Sequence, residues 1–483
     1  MKVTVRNLGV IKDDATIDLK PLTVFIGPNS SGKTWLAYAI AGILGSYGWH
    51  RYVSAYIVGK TARKYRKLDD VAKQIAEGGE GTLDIVSFAE EYVEKYLSDI
   101  ALFSKSWMQR YLSTKRIQFT DLFFNIDVAE LKNKLLQYIQ QIPIQDNLGK
   151  NDESAPLRAL KEAGERKLFF YPGQNIEDRL PTRAVREFVS GLIFREILQF
   201  FYSDVYVFPT ERASVINDQF LPVSLSRRFI EKVTTPVNEE VSTAIEELEN
   251  LFSKVRPQSV PVGSFANMMS RLYRSGSFTD RTEQALEQLA IKQYMRLADI
   301  LQKDILGGDV DFSTPDPDPQ REILFKPEND VYGDIPTLEI SISSSMVKEL
   351  SSLVLYLRYL AQPGEMVVID EPEMNLHPEA QAKIIEFLVM LVNAGLDVLI
   401  TTHSPYITDH LTNLIQASKH EDKESIKQDF FLQQSEAFID KEKVSVYGFN
   451  DGKVNDVLDE DGVVSWNTFG DVSEKIADIF MKL

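Results

Sequence analysis

Residues 22–36 read Leu22-Thr23-Val24-Phe25-Ile26-Gly27-Pro28-Asn29-Ser30-Ser31-Gly32-Lys33-Thr34-Trp35-Leu36. A short, mostly apolar run stops at a glycine, and a helical pattern, GKTWLAYAIAGIL, starts inside the loop that follows. Gly27 to Thr34 fit G-x-x-x-x-G-K-[ST] at every fixed position, with an apolar strand before them and a helix after. Gly27 and Gly32 let the backbone curl, so that successive N–H groups across Asn29, Ser30, Ser31 and Gly32 point inward at phosphate oxygens. The helix N-terminus adds its dipole. Lys33 places a point charge on β- and γ-phosphates, and the Thr34 hydroxyl is a ligand for Mg2+. The stretch predicts an α/β fold that binds ATP with Mg2+ on a phosphate loop.

A second strand end completes the expectation. Met366-Val367-Val368-Ile369-Asp370-Glu371 is four apolar residues followed by two acids. That order puts both acids at the C-terminal end of a buried strand, where open α/β sheets hold ligands. Asp370 is then placed to orient water on Mg2+, and Glu371 to polarise the attacking water. Thirty residues on, Val398-Leu399-Ile400-Thr401-Thr402-His403-Ser404-Pro405 is another buried strand ending in polar residues. His403 would sit beside the carboxylates, within reach of a γ-phosphate oxygen. Short apolar strands alternating with helices over 348–401 predict a parallel sheet.

GPNSSGKT, VVIDEPEMNLHPEAQ and ITTHSPYI together resemble the ABC-type ATPase heads of the SMC, RecF and OLD-nuclease group. Within that group the chain is most similar to the stand-alone AAA ATPases of bacterial antiphage systems such as PARIS and Septu. The resemblance spans about residues 1–45 and 205–415. It implies a P-loop ATPase head with a β-lobe and a large insertion, and a signature segment that meets the nucleotide of a second protomer. The matching stretch is Ile342 to Leu350, with Ser343, Ser344 and Ser345 as nucleotide contacts; Ser345 stands where the family usually has Gly. The alternative is a plain serine N-cap for the helix at 347–360. Glu373, Asn375 and His377 fall in a loop resembling the family's protomer-contact element. Phe208-Pro209-Thr210-Glu211-Arg212 resembles a P-x-E-R segment of OLD-like proteins, with a structural salt bridge as the alternative reading.

These landmarks divide the 483 residues into an ATPase head over 1–48 and 205–418, a helical insertion over 49–204, and a C-terminal extension over 419–483. Helices are also expected over 236–256 and 281–305. The extension is acidic, with 8 Lys against 15 Asp plus Glu, and its VSVYGF and VSEKIADIFMKL segments predict that it folds. The whole chain has 53 Lys plus Arg and 71 Asp plus Glu, a net charge of −18, so bulk charge does not draw it to nucleic acid or anionic membrane. One basic run, Lys60, Arg63, Lys64, Arg66 and Lys67, is either a solvated helix face or a grip on a nucleic-acid backbone. There are no cysteines, which excludes disulfides and thiolate zinc sites. The N-terminus does not read as a signal peptide, and no long uncharged apolar window suggests a membrane span, so a cytoplasmic protein is expected.

The OLD-type nuclease follows the ATPase, and with only 80 residues here after His403 none is expected. Asp309-Val310-Asp311 is expected to be a solvated turn, and the PDPDP stretch at 315–319 an exposed loop. The expectation is therefore an ATPase that assembles as a dimer or higher oligomer and controls a separate effector, a nuclease or toxin, with a nucleic acid or phage protein as trigger. The alternative is a RecF- or SMC-like ATPase gripping DNA in repair or recombination. The insertion lacks long heptad repeats, which disfavours a coiled-coil arm.

Overall fold

The computed structural model describes residues 1–149, 155–173, 181–217, 259–274, 281–312, 322–328, 336–465 and 478–481. The expected helix at 236–256 and the PDPDP stretch lie outside them. The chain divides into two compact units, one of Gly9–Tyr38, Tyr206–Gln219 and Pro261–Leu483, the other of Met1–Leu8, Ala39–Val205 and Phe220–Val260.

The first unit is built on a six-stranded sheet. Its strands are β1 (Leu22–Ile26), β2 (Val205–Phe208), β3 (Met366–Asp370), β4 (Asp397–Thr402), β5 (Val444–Asn450) and β6 (Lys453–Asp456), in the spatial order β6-β5-β1-β4-β3-β2. β3 pairs with β4, β4 with β1, and β1 with β5, all in parallel; β6 closes one edge antiparallel to β5. β1 and β3 are buried at every residue, as expected of parallel strands covered on both faces. Helices α1 (Lys33–Leu44), α2 (Ser345–Tyr359), α3 (Pro378–Asn393) and α4 (Pro405–Ser418) belong with this sheet. Pairing register aligns the functional ends: Asp370 lies opposite Thr401, and Thr401 opposite Phe25. This is the α/β P-loop architecture expected.

The stretch 419–483, expected as an extension outside the head, is corrected by β5. Val444 to Gly448 run alongside Leu22 to Ile26 and complete the sheet beside the phosphate-loop strand. Asp309-Val310-Asp311 is also corrected. It is a strand segment (Gly308–Phe312) in a three-stranded antiparallel sheet, with both aspartates exposed and Val310 buried. Asp311 accepts from the Tyr359 hydroxyl at 2.7 Å.

The second unit contains helices over Ser46–Ile57, Arg66–Gly78, Ile85–Phe103 and Thr182–Gln199. It also holds what a helical reading of 49–204 omitted: a four-stranded antiparallel sheet of Gly81–Asp84, Lys167–Pro172, Leu157–Lys161 and Ile144–Leu148. A further strand, Phe123–Asp127, pairs antiparallel with Lys2–Arg6. The reason for the miss is plain in Leu157–Lys161 (LRALK), whose residues favour helix while its burial alternates. The core is aromatic: Tyr96 stacks on Phe194 with centroids 4.4 Å apart, and Tyr52, Tyr56 and Tyr65 pack edge-on to the same ring. Burial pushes the Tyr56 hydroxyl up to about 12. Two of the five basic-run residues are paired inside this unit, while Lys60, Lys64 and Arg66 are exposed. Arg63 pairs with Asp99 at 2.6 Å and Lys67 with Glu91 at 2.6 Å, while Tyr65 is buried and donates to Asp99. Among the described residues no helix is long and apolar enough to cross a membrane.

Candidate active site

The loop between β1 and α1 is shaped by close approaches that only certain residues allow. A Cβ on Gly27 would come within 2.5 Å of the Phe449 carbonyl oxygen, so β5 itself walls the loop. Gly32 has φ +100°, a left-handed conformation that a side chain would strain. Ser30 also takes a positive φ, 64°, so the curl does not rest on glycine alone. The Ser31 hydroxyl is buried with no hydrogen-bond partner, an orphaned polar atom inside a loop of the phosphate-cradling pattern. Lys33 is 5% exposed, and its ammonium donates to the Gly27 and Pro28 carbonyls at 2.8 and 2.9 Å. Burial pulls its pKa down, against the opposing pull of Glu371, Asp370 and Glu373. A buried ammonium facing carboxylates across a curled loop is a fitting partner for a polyphosphate.

Two strands away, Asp370 ends β3 with 1% exposure. Three hydroxyls donate to it: Thr34 at 2.9 Å, Tyr38 at 3.2 Å, and Thr401 from β4. Burial raises its pKa, and the Thr401, Thr34 and Tyr38 hydrogen bonds oppose that rise. Thr34 and Tyr38 are four apart on α1 and share a face, so one helix turn supplies both donors. The structure thus brings Thr34 and Asp370 together, as a shared Mg2+ site would require. Among the described residues no cluster of three or more carboxylates or histidines could hold a metal by itself. That donor set suits Mg2+, which keeps waters and phosphate oxygens as most of its ligands.

Glu371 follows in a left-handed conformation, φ 49°, unusual for a residue with a side chain. Its N–H donates to the Thr401 carbonyl at 3.0 Å, and its carbonyl accepts from Arg212 at 2.8 Å. His403 lies where expected, its Nδ1 3.5 Å from Glu371 Oε1 and 3.6 Å from Glu373 Oε1. Glu373 is 4% exposed and anchors the turn after β4, accepting from the Thr402 hydroxyl at 2.6 Å and the His403 N–H at 2.9 Å. Burial raises its pKa, with those two donors acting against it, and its second oxygen has no hydrogen-bond partner.

Sequence reasoning had given Phe208–Arg212 no chemical role. Arg212 is 1% exposed and lies 2.9 Å from Glu349 on α2, a buried ion pair. Thr401, Thr402 and Tyr38 had also gone unassigned, although the first two stand in the ITTHSP stretch and the third is one turn beyond Thr34. Ser343 and Ser344 lead into α2, whose first residue is Ser345. Ser344 is its N-cap, accepting from the Val347 N–H at 3.3 Å, and the Ser343 hydroxyl donates to the Glu339 carbonyl at 3.1 Å. The N-cap alternative is met at Ser344, while Ser344 and Ser345 face solvent. His377 caps α3 in the same way.

Two family models match the chain. One, "AAA ATPase domain", covers residues 1–179. The other, "AAA domain, putative AbiEii toxin, Type IV TA system", covers residues 193–409. No curated protein matches in sequence. Solved structures with some likeness are heads of SMC proteins. An SMC head bound to the C-terminal winged-helix domain of ScpA is 11% identical, with 94% of this chain and 96% of that chain covered and a TM-score of 0.36. A Pyrococcus furiosus SMC head with an extended coiled coil, bound to the C-terminal domain of ScpA, is 13% identical over 99% of this chain and 98% of that chain, at a TM-score of 0.34. The Thermotoga maritima SMC head is 10% identical over 94% of this chain and 97% of that chain, at 0.32. Phosphate loop, carboxylate strand and AAA-type matches agree on one activity, the hydrolysis of ATP by a P-loop nucleoside triphosphatase.

Proposed function

We propose that this chain is an ATP-driven switch: it binds Mg·ATP at the end of β1, closes against a second copy of itself, and in that state holds or releases a separate effector in antiphage defence. The observation that carries the reading is the hydrogen bond from Thr34 to Asp370, 2.9 Å, with Glu371 next in the chain. It joins the phosphate-binding segment to the carboxylate that hydrolysis needs. Asn29 to Thr34 cradle the phosphates. Thr34 and Asp370 would hold Mg2+, which neutralises charge on β- and γ-phosphate oxygens when bound. Glu371 accepts the proton of the attacking water, and His403 donates to a γ-phosphate oxygen. Ser344 and Ser345, at the exposed start of α2, reach the nucleotide of the second copy, with the buried Ser343 behind them.

A protein effector, nuclease or toxin, is favoured by two things. The model matching residues 193–409 is described by a toxin of a toxin–antitoxin system. The net charge of −18 opposes broad contact with nucleic acid. The DNA-gripping alternative would draw on the basic run, of which Arg63 and Lys67 are paired with Asp99 and Glu91. A phage protein or a nucleic acid is the trigger, and the cytoplasm the setting.

Mixing two inactive variants, Lys33→Ala and Ser344→Arg, tests the assembly. In a dimer with composite sites, one site carries both defects and the other neither. At equal ratio about one quarter of parental turnover should return, since half the dimers are mixed and each has one intact site. No recovery at any ratio removes the two-copy mechanism and leaves the ATPase standing.

A further inference from the structure

We infer that Arg212 is the positioning residue for Glu371: it holds the strained backbone that aims the water-activating carboxylate and ties that backbone to helix α2. The inference rests on the role proposed above for Glu371.

A fully buried guanidinium is costly unless every donor is matched. Here the matches are specific. Nη1 donates to the Asp370 carbonyl at 2.7 Å and to the Pro209 carbonyl at 3.1 Å, and Nη2 donates to the Glu371 carbonyl at 2.8 Å. Nε faces Glu349 Oε2 at 2.9 Å. Burial lowers the Arg212 pKa, and Glu349 is the largest influence opposing it. One planar fork therefore grips two successive carbonyls at the place where the chain leaves β3 and turns left-handed. Lysine, a single point donor, cannot reproduce that grip.

The bonds fall on backbone carbonyls of Asp370 and Glu371, so Arg212 acts through Glu371 and not on the phosphate. Left-handed conformations of non-glycine residues persist only where the surroundings over-determine them. At Glu371 the surroundings are Arg212 and the Met374 N–H on the carbonyl, at 2.8 and 3.1 Å, and Thr401 on the N–H. The other end of the clamp is α2. Glu349 stands in its second turn, and its Oε1 accepts from Asn375 Nδ2 at 3.1 Å; Asn375 is itself left-handed, φ 61°. A shift of α2, whose first residues are the exposed serines, moves Glu349 and with it the aim of Glu371.

The experiment measures Mg·ATP affinity, kcat and melting temperature for Arg212→Lys, Glu371→Gln and the double variant. Arg212→Lys should keep the Kd within about threefold and lower kcat roughly 30-fold, in line with misplacement of a catalytic group by a fraction of an ångström. In the Glu371→Gln background it should change the residual turnover less than about twofold, because two residues acting through one group are not additive. A merely structural arginine would lower turnover by the same factor in both backgrounds, and that result overturns the inference. So does an unchanged kcat. Should Arg212→Lys fail to fold, Glu349→Gln keeps the shape and removes the ion-pair partner; a several-fold loss of kcat that vanishes in the Glu371→Gln background is expected, and an additive loss overturns the inference. Parental turnover by Glu371→Gln itself would overturn the proposed function, whereas a collapsed Glu371→Gln with an additive Arg212→Lys overturns this inference alone.

Discussion

The ends of β1 and β3 lie on either side of β4 and solve opposite problems by opposite means. At β1 the site is made of backbone. Eight consecutive residues curl, and the loop carries two glycines, a left-handed Ser30 and a lysine folded onto the loop's own carbonyls. At β3 the site is made of side chains gathered from afar. Asp370 takes hydroxyls from α1 and from β4, and Glu371 is braced by an arginine that follows β2. A backbone cradle tolerates loss of a hydroxyl, because its N–H groups remain; its one charged side chain, Lys33, is the exception. A network of buried side chains transmits the loss of one member to all the others.

Lys33→Ala should break the first region most severely. Removing the buried ammonium costs a charge-assisted contact, so affinity for labelled ATP should fall by about 10²-fold or more, and turnover with it. Undiminished binding would remove the phosphate-loop assignment. Glu371→Gln should break the second region while sparing the first. ATP binding stays, and kcat drops by roughly 10² or more, the range for losing a general base.

Thr401→Val sharpens the contrast. It keeps the volume of a buried side chain but deletes a donor to Asp370, and should cost about 1–3 kcal/mol of stability to denaturant as well as several-fold in kcat. Ser31→Ala, in the backbone cradle, should change ATP affinity by no more than about fivefold, a neutral hydrogen bond being worth about 1 kcal/mol. If the serine matters as much as the threonine, the distinction between the two strand ends fails.

The smallest effect lies at the other end of β4. Burial pushes the Asp397 carboxyl up to about 6. Its folded pKa is above its unfolded one, so its contribution favours folding below the unfolded value and is lost as pH rises through about 6. Asp397→Asn should therefore raise Tm at pH 7.5 by a few degrees, about the shift that 1 kcal/mol gives, and leave it unchanged near pH 4. A gain of the same size at both pH values would mean that ionisation is not the cause.

The contrast also explains what could be read in the amino-acid sequence. The phosphate loop was legible because all its determinants are contiguous and their spacing is dictated by phosphate geometry. Asp370, Glu371 and His403 were legible because each closes an apolar run. Arg212 was visible as a motif without a purpose, since its partners Asp370, Glu371 and Glu349 lie 137 or more positions away and nothing local reveals them. Tyr38 looked like one more apolar residue of a core helix. The strand Leu157–Lys161 was hidden because Leu, Arg, Ala and Lys favour helix, and β5 because its partner strand lies hundreds of positions away along the chain.

That last pairing sets a schedule for synthesis. Ser445 on β5 touches Thr23 on β1, 422 residues earlier. A nascent chain exposes the Leu22–Ile26 strand hundreds of residues before Val444 to Gly448 are made, so one flank of that strand stays uncovered over the whole interval. Throughout that interval the strand is an apolar edge open to wrong partners. Fragments released by premature termination or cut before Val444 would carry the complete phosphate motif without the wall that Phe449 gives it. The nucleotide site thus also reports that the chain has been made past β5, and a saturating dose of ATP during refolding should rescue a polypeptide that includes Val444–Asn450 and do nothing for one cut before it.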